Sequence, residues 1–415
     1  MDQTAKLQSA KGASWLTLRC RAIVHHFFSK LEDGQLMIKE QIEDSAQQQF
    51  SFGTHSSDQE QLVASIQVYD LSMYKDFIFG GSIGAAKAFI EGKWQADDLT
   101  TVIRVFARAQ KITDKLEKYY SWIGAAKNKL LHRLRANSIK GSKKNILAHY
   151  DLGDELFSQF LCDEMVYSSA VFAEPLQSLG DAQLNKFKTI CDQLELTESD
   201  HVVEIGTGWG GLAIYAAQHY GCRVTTTTIS DSQHAYAKKR IEALGLSDKI
   251  TLLKKDYRLL TGQYDKLMSV EMIEAVGYEH LSRFFQVCNS LVKPKGKMLI
   301  QAITIADQRF EHYRNHVDFI QRYIFPGGFL PSITLLTQQL TKHTDMVTES
   351  ISDIGLDYAK TLNIWQQNFN KNWSQISQHG YDQAFKNLWQ FYLSYCEGAF
   401  LERATSTVHL LARKS

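Results

Sequence analysis

A glycine-rich loop carries the clearest chemical signal in this sequence. Gly206, Gly208, Gly210 and Gly211 follow a short apolar run, Val202–Ile205, and helical spacing and a second β-rich run come after them. Glycines allow a sharp turn and let a ligand approach main-chain N–H groups at a helix N-terminus. The strand–turn–helix–strand order therefore predicts the first unit of a doubly wound sheet with a ligand site at this loop.

The acids around this loop indicate which ligand it binds. GxGxxG alone is shared by several nucleotide-binding families, and a dinucleotide site would place an acid about 20 residues further on. That position falls in the run Thr225–Thr228, which has no acid. Glu204 instead lies two residues before the first glycine, and Trp209 lies inside the loop. Glu-x-Gly-x-Gly resembles the first motif of S-adenosylmethionine-dependent methyltransferases, where the carboxylate orders the loop near the methionine part of the cofactor.

The strands that position this loop alternate with helical patterns along the second half of the chain. Ile250–Leu253, Tyr264–Val270 and Lys297–Ile303 are predicted strands, and the second of them ends at Glu271 and Glu274. Strands that alternate with helices are typical of a parallel α/β sheet.

Length and composition limit the class of protein. With 415 residues the chain should form two domains, since single cores seldom grow beyond about 250–300 residues. A net charge of +1 argues against bulk nucleic-acid binding. The six cysteines contain no CxxC pair, which favours a reduced chain without a zinc site. We find no signal peptide and no apolar run of about 18 residues, so we expect a cytoplasmic protein that reaches any lipid from the membrane surface.

The domain organisation is predicted from composition along the chain. Residues 1–110 form a candidate α+β domain without a catalytic constellation, and residues 145–415 form the candidate catalytic domain. Between them, residues 111–144 contain ten Lys or Arg against two acids, with aromatic and apolar residues interleaved. This basic linker could lie on an anionic membrane, where each cation contributes on the order of 1 kcal/mol, or it could be a solvated connection between domains.

Taken together, these segments resemble the cyclopropane-fatty-acyl-phospholipid synthase family, which includes the mycolic-acid cyclopropane synthases. The similarity covers nearly the whole chain, and the order and spacing of its motifs are specific. The motifs are GGSIGAAKAFIEGKWQADDLT, HYDLGDELF, VYSSAVF, EIGTGWGG, TTISDSQ, KDYRLL, SVEMIEAVG, YIFPGGFLPS, the stretch 358–365 and YCEGAFLERA.

The resemblance implies a class I methyltransferase fold with a seven-stranded sheet. It also implies a front domain that engages the bilayer, a homodimer, and a cis double bond of a phospholipid acyl chain as substrate. The protein would then associate transiently with the inner face of the membrane. With Glu204 and Gly210 of the loop, the implied S-adenosylmethionine site comprises Tyr167, Ser168, Gly206, Gly208, Thr228, Gln233, Asp256 and Tyr257.

The family reaction implies a second set of residues. Methyl transfer to an alkene leaves a carbocation, which aromatic faces can stabilise, and a base must then remove a proton so that the ring closes. In the family that base is a bound bicarbonate held by a glutamate, a histidine, a tyrosine and main-chain N–H groups. Glu274, Tyr358 and Cys396 match the family's glutamate, tyrosine and cysteine.

Two positions depart from the family pattern. The cysteine of its YSC motif is Ser169 here, which fits if the contact is through the backbone. The family histidine on the strand MLIQAIT is Gln301, which can donate a hydrogen bond but cannot carry a proton. Bicarbonate binding and ring closure are therefore less certain expectations than methyl transfer.

Three other functions remain open. A weakened base could give a methyl-branched or methylene-bearing chain from the same cofactor and lipid. A methyltransferase for a soluble small molecule would leave the front domain unexplained. A lipid-binding protein with a decayed methyltransferase fold would not bind S-adenosylmethionine.

Overall fold

The chain forms two compact units. The computed structural model describes residues 14–41, 47–54, 61–109 and 152–415. The first unit contains the described residues up to 109 together with Tyr381–Glu402, and the second contains residues 152–380 and 403–415. The basic segment 111–144 lies outside the described residues, so its role and the boundaries around it stay predictions.

The first unit differs from the predicted front domain by one helix from the C-terminal part of the chain. We expected residues 145–415 to belong to a single domain, but Tyr381–Glu402 groups with the first unit. Polar contacts explain this grouping: Thr100 donates to Glu397 at 3.0 Å, and the Asn387 amide donates to the carbonyl of Phe89 at 3.3 Å.

Helices and a four-stranded sheet make up the first unit. Strand β1 pairs in parallel with β3 and antiparallel with β2, and the sheet order is β2-β1-β3-β4. This arrangement confirms the prediction of a smaller α+β domain. The elements before residue 110 are α1 (Trp15–Phe28), β1 (Gln35–Glu40), β2 (Gln48–Phe52), β3 (Val63–Val68), α2 (Met73–Ile90), β4 (Trp94–Ala96) and α3 (Leu99–Arg108).

The second unit is an α/β sandwich around a seven-stranded sheet. Its elements begin with α4 (Asp154–Phe157), α5 (Leu179–Gln193), β5 (His201–Ile205), α6 (Gly211–His219), β6 (Arg223–Thr228), α7 (Asp231–Ala243), β7 (Ile250–Lys254) and β8 (Tyr264–Val270). They continue with α8 (Leu281–Leu291), β9 (Val292–Ile305), α9 (Asp307–Asn315), α10 (Ile333–His343), β10 (Met346–Asp353), α11 (Gly355–Lys371) and α12 (Trp373–Gln378). Helix α13 (Gln383–Leu401) of the first unit precedes the last strand, β11 (Thr405–Lys414).

The sheet confirms the predicted mostly parallel topology. Its order is β10-β11-β9-β8-β5-β6-β7, in which β5 to β9 are parallel and β11 is antiparallel to both of its neighbours. Helices cover both faces of strand β5, which explains why its residues Val202, Val203 and Ile205 are all buried. In such sheets ligands bind beyond the carboxyl ends of the parallel strands. Among the helices of the described ranges, none is both long and apolar enough to cross a bilayer.

Candidate active site

The glycine loop leaves the carboxyl end of β5 in a conformation that requires glycine. Gly206, Gly208 and Gly210 have φ angles of +104°, +52° and +93°, a region that L side chains rarely adopt. The indole N–H of Trp209 donates to Asp154 at 2.8 Å, and this contact joins the loop to the HYDLGDELF motif. The loop is thereby held with helix α6 beginning at Gly211, the position expected for a nucleoside-type ligand.

The ends of β6 and β7 place further polar groups at the same edge. The hydroxyl of Thr228 donates to Gln233 at 3.0 Å and accepts the N–H of Ser230. Asp256 accepts two bonds from the guanidinium of Arg258, and the pKa of Asp256 lies below its usual range. Desolvation opposes this lowering, and the bonds and charge of Arg258 cause it.

Tyr257 offers an unsatisfied hydroxyl at this edge. Its oxygen is buried and has no hydrogen-bond partner among the described residues, while its ring packs edge-on against Phe284 at 5.5 Å. An orphaned buried hydroxyl is rare in native structures and is commonly satisfied by a ligand. Tyr257 therefore fits a polar ligand bound beside Asp256.

Glu204 lies within the sheet rather than at its edge. Its carboxylate accepts a 2.5 Å bond from the hydroxyl of Thr226, which also contacts the hydroxyl of Thr207. Burial raises the pKa of Glu204 to about 8. At neutral pH the side chain is consequently protonated in the free protein, and its predicted contact with the cofactor stays a prediction.

Aromatic rings form one wall of the site. Tyr167 packs against Trp365 at 5.3 Å and against Phe157 at 5.0 Å, and Trp365 meets the ring of Tyr358 edge-on at 6.1 Å. Trp365 is fully buried, whereas Tyr167 is partly exposed. Aromatic faces of this kind can stabilise a cation held against them.

Three of the residues predicted to hold bicarbonate meet at a single carboxylate, that of Glu271. Its Oε1 accepts the backbone N–H of Ser169 at 2.9 Å and the amide of Gln301 at 2.7 Å. Its Oε2 accepts the hydroxyl of Tyr358 at 2.8 Å. Ser169 thus donates through its backbone, and the carboxylate that it binds belongs to the chain itself.

Gln301 is held in one orientation by a histidine from the neighbouring strand. His409 on β11 lies opposite Gln301 on β9 and contacts its Oε1 at 3.0 Å. Because that oxygen can only accept, the Nε2 of His409 carries the proton. Burial, helped by the charge of Lys186, lowers the pKa of His409 to about 4, so the ring is neutral at physiological pH.

A buried lysine lies behind this cluster. Lys186 on α5 is inaccessible to solvent, and its ammonium donates to the hydroxyl of Ser168 at 2.7 Å. Burial lowers the pKa of Lys186 to about 8, while the carboxylate of Glu271 works in the opposite direction. Ser168, predicted to contact the cofactor, is therefore also the acceptor for a buried cation.

The carboxylate of Glu274 contacts strand β9, and its predicted role in holding bicarbonate stays a prediction. Its Oε1 accepts the backbone N–H of Ile303 at 2.5 Å, and its Oε2 is buried without a partner among the described residues. Burial, with a contribution from the negative charge of Glu271, raises the pKa of Glu274 to about 8. The carboxylate that accepts from Ser169, Gln301 and Tyr358 is that of Glu271, three residues earlier in the same motif.

The remaining predicted residue, Cys396, lies on α13 in the first unit. Its predicted place near the ion stays a prediction.

Sequence reasoning did not select Glu271, Lys186 or His409 as site residues. Glu271 could have been found, because it is the first acid after a strand whose carboxyl end faces the cofactor edge. Lys186 and His409 carry no such signal, since one lies on a helix and the other on the last strand, and both lie outside the family motifs.

The fold and the loop define a class of protein. A seven-stranded sheet with one antiparallel strand next to its edge and a glycine loop after the central parallel strand is the class I methyltransferase fold. A mycolic acid cyclopropane synthase crystallised with SAH and CTAB superimposes with a TM-score of 0.62 at 25% identity. The alignment covers 66% of this chain and 98% of that one.

Sequence comparisons identify the family. Residues 137–410 match the family model described as mycolic acid cyclopropane synthetase. The cyclopropane-fatty-acyl-phospholipid synthase of Escherichia coli K12 is 34% identical over 82% of this chain and 85% of its own length. The tuberculostearic acid methyltransferase of Mycobacterium tuberculosis is 34% identical over 77% of this chain and 76% of its own length. The chain belongs to this cyclopropane synthase family and is an S-adenosylmethionine-dependent methyltransferase.

Proposed function

We propose that this enzyme methylates a cis double bond in the acyl chain of an unsaturated membrane phospholipid and closes the product to a cyclopropane ring. Family membership supports the substrate class. The observation that carries the proposal is the aromatic wall of Tyr167, Trp365 and Tyr358, which lies beside the carboxylate of Glu271. The aromatic residues would stabilise a cation on the acyl chain, and the adjacent carboxylate of Glu271 could take its proton.

The residues at the strand ends fit S-adenosylmethionine. The loop at Gly206, Gly208 and Gly210 would approach the methionine part, and Thr228 with Gln233 would hold the ribose. Asp256 and the unsatisfied hydroxyl of Tyr257 offer polar partners for the rest of the nucleoside. The family resemblance implies these cofactor contacts. They fall at positions where the structure has left-handed glycines and a buried hydroxyl without a partner among the described residues.

When bound, S-adenosylmethionine would supply an electrophilic methyl group to the alkene. The sulfur–methyl bond would break as the new carbon–carbon bond forms, with S-adenosylhomocysteine as the leaving group and a carbocation on the acyl chain. The chain's own residues have three tasks in this reaction. They hold the alkene in line, exclude water that would quench the cation, and remove one proton. Tyr167 suits the first two tasks because its large ring is partly exposed, and the buried Trp365 packs against that ring.

The resemblance assigns proton removal to bound bicarbonate, but the donors expected to hold that ion do not fit it. Ser169, Gln301 and Tyr358 already bond to Glu271.

A second product has a specific observation in its favour. The neutral Gln301 lies where the family has a histidine. The group that accepts the proton in this protein can therefore differ in identity and position from that of the family. If the acceptor faces the acyl chain rather than the new methyl group, the proton lost comes from the chain. The product is then a methyl-branched chain that keeps an olefin. A methylene-bearing chain forms instead if a hydride shifts from the methylated carbon to the neighbouring cationic carbon, and the methyl group then loses a proton.

The partners follow from the substrate. We propose transient binding to the inner face of the cytoplasmic membrane, with the basic segment 111–144 and the first unit as the candidate contacts. A homodimer remains an expectation from the family resemblance.

An isotope experiment separates the products. The full chain is incubated with vesicles of dioleoyl phosphatidylglycerol and S-adenosylmethionine deuterated in the methyl group, and the acyl chains are analysed by mass spectrometry. Ring closure removes one deuterium and abolishes olefin reactivity. A branched olefin keeps all the deuterium, and a methylene-bearing chain loses one deuterium but still reacts as an olefin. Incorporation only into soluble acceptors, or no binding of S-adenosylmethionine by calorimetry, would refute the proposed function.

A matched pair of variants tests the loop. Gly208 and Gly245 are both left-handed, and an added Cβ meets nothing within 4 Å at either position. Gly208→Ala should weaken S-adenosylmethionine binding because it distorts the loop. Gly245→Ala, which introduces comparable backbone strain in a turn after α7, should bind normally.

A further inference from the structure

The donors that would bind an external anion are saturated by Glu271. Ser169 has one backbone N–H and Tyr358 one O–H, and both point at this carboxylate. The amide of Gln301 has two N–H groups, which reach Glu271 at 2.7 Å and the carbonyl of Ser169 at 3.4 Å. A bicarbonate placed here would find no free donor among these three residues and would meet a like charge.

The backbone of Glu271 has a strained conformation that places its carboxylate next to the three donors. Its φ angle is +46°, in the left-handed region where a residue with a side chain is strained. The N–H of Glu271 is anchored to the carbonyl of Gln301 at 2.9 Å. Strained residues of this kind concentrate at active sites, and here the strain delivers a carboxylate to three convergent donors.

Resting on the proposed function, we infer that Glu271 is the catalytic base of this enzyme and replaces the bicarbonate of the family mechanism. Three donors favour the ionised form of Glu271, and so does the positive charge of the buried Lys186 ammonium. Desolvation raises the pKa of Glu271, which makes it a stronger base than an exposed carboxylate. Its residue surface is only partly covered, whereas Ser169 and Gln301 are fully buried, so Glu271 is the member of the cluster that a substrate can reach.

The step balances without any further reactant. After methyl transfer, one oxygen of Glu271 takes a proton from the new methyl group. The electron pair of that C–H bond forms the third bond of the ring with the cationic carbon. Glu271 becomes a neutral carboxylic acid and returns its proton to water once the product has left.

Bicarbonate dependence tests this inference directly. The full chain is assayed with the vesicles described above in buffer freed of carbon dioxide, with and without added bicarbonate. We expect the same rate of methylated lipid formation in both. A wild-type enzyme that makes product only with bicarbonate would overturn the inference while leaving the proposed function intact. Absence of any methylated lipid under both conditions would refute the proposed function instead.

Substitution of Glu271 provides a second test. Glu271→Gly removes the base, relieves the left-handed strain and frees all three donors, so it should fold. We expect its rate to fall by about 10²- to 10⁴-fold, the usual contribution of a general base, and to recover in part when bicarbonate is added. Glu271→Gln should show the same loss without recovery, because its amide still fills the site.

Glu195→Gly is the matched control. Glu195 also has a left-handed backbone, with φ of +54°, but it is exposed and pairs with Lys297 on the surface. Its variant should keep wild-type activity and should not respond to bicarbonate. Calorimetric binding of S-adenosylmethionine should be equal in all variants. Full activity of Glu271→Gly without bicarbonate would overturn the inference.

Discussion

Glu204 is an acid buried in the central strand, and its protonation offers a quantitative test of the site. Only 2% of the residue is exposed, and a single hydroxyl, that of Thr226, donates to its carboxylate. Desolvation raises the pKa of Glu204 to about 8 from a usual value near 4.5. We predict that Glu204→Gln stabilises the folded protein in the absence of cofactor, because the neutral amide keeps the acceptor for Thr226 and removes the ionisable group.

The magnitude depends on pH in a definite direction. Below about pH 4.5 the carboxyl is protonated in both states and contributes no pH dependence. Above that value the unfolded chain loses its proton while the folded one keeps it, so wild-type stability falls until the pH passes about 8. With these pKa values, the advantage of the Gln variant grows from less than about 1 kcal/mol near pH 5 to about 3 kcal/mol near pH 7.

Urea-induced unfolding of the full chain at several pH values measures this difference. Glu198→Gln, at an exposed position shortly before β5, is the control for replacing a solvated glutamate by glutamine. A difference between Glu204→Gln and wild type that does not change between pH 5 and pH 8 would show that Glu204 is ionised in the folded protein. If Glu204→Gln were less stable than wild type at every pH, the assignment of a neutral Glu204 side chain would also be wrong.

The same variant tests the predicted cofactor role. If the positive charge of S-adenosylmethionine ionises Glu204 on binding, the variant loses that attraction. We therefore expect a more stable free protein that binds the cofactor more weakly. Unchanged affinity would mean that Glu204 orders the sheet only.

Two further predictions concern the edges of the site. Tyr257→Phe removes a buried hydroxyl without a partner among the described residues, so it should stabilise the free protein by about 1 kcal/mol and weaken S-adenosylmethionine binding several-fold by calorimetry. Unchanged affinity would place the hydroxyl away from the cofactor. His409→Leu leaves the buried Oε1 of Gln301 unpaired, and we expect a loss of about 1–3 kcal/mol in urea unfolding and a lower kcat at unchanged cofactor affinity. Because unfolded His409 takes up a proton below about pH 6.5 and the folded ring resists it down to about pH 4, wild-type stability should fall with acid in this window, and the variant should fall less. An identical acid profile in both proteins would contradict the neutral ring.

The fold followed from sequence because its signals are local. The apolar run of β5 and the glycines after it predict a buried strand and a left-handed loop from a few consecutive residues. Helix α13 could not be assigned to the first unit in this way, since that grouping depends on Thr100 and Asn387 meeting partners almost 300 positions away. The candidate site divides similarly. The loop residues were predicted, while Glu274 was selected by its position in a motif and the side chain that reaches the donors is Glu271.

The presence of Glu271 and the departure at Gln301 are linked. A histidine at position 301 beside the carboxylate of Glu271 would tend to take a proton and form an ion pair, and such a pair would lower the basicity of the carboxylate. A glutamine donates a hydrogen bond without that charge, and the neutral His409 holds its amide in the donating orientation. From sequence, the replacement of the family histidine by Gln301 indicated a weakened base. Beside Glu271, however, a neutral glutamine is the partner that a carboxylate base requires. Gln301→His should accordingly lower activity when Glu271 is present and should improve the response to bicarbonate in Glu271→Gly.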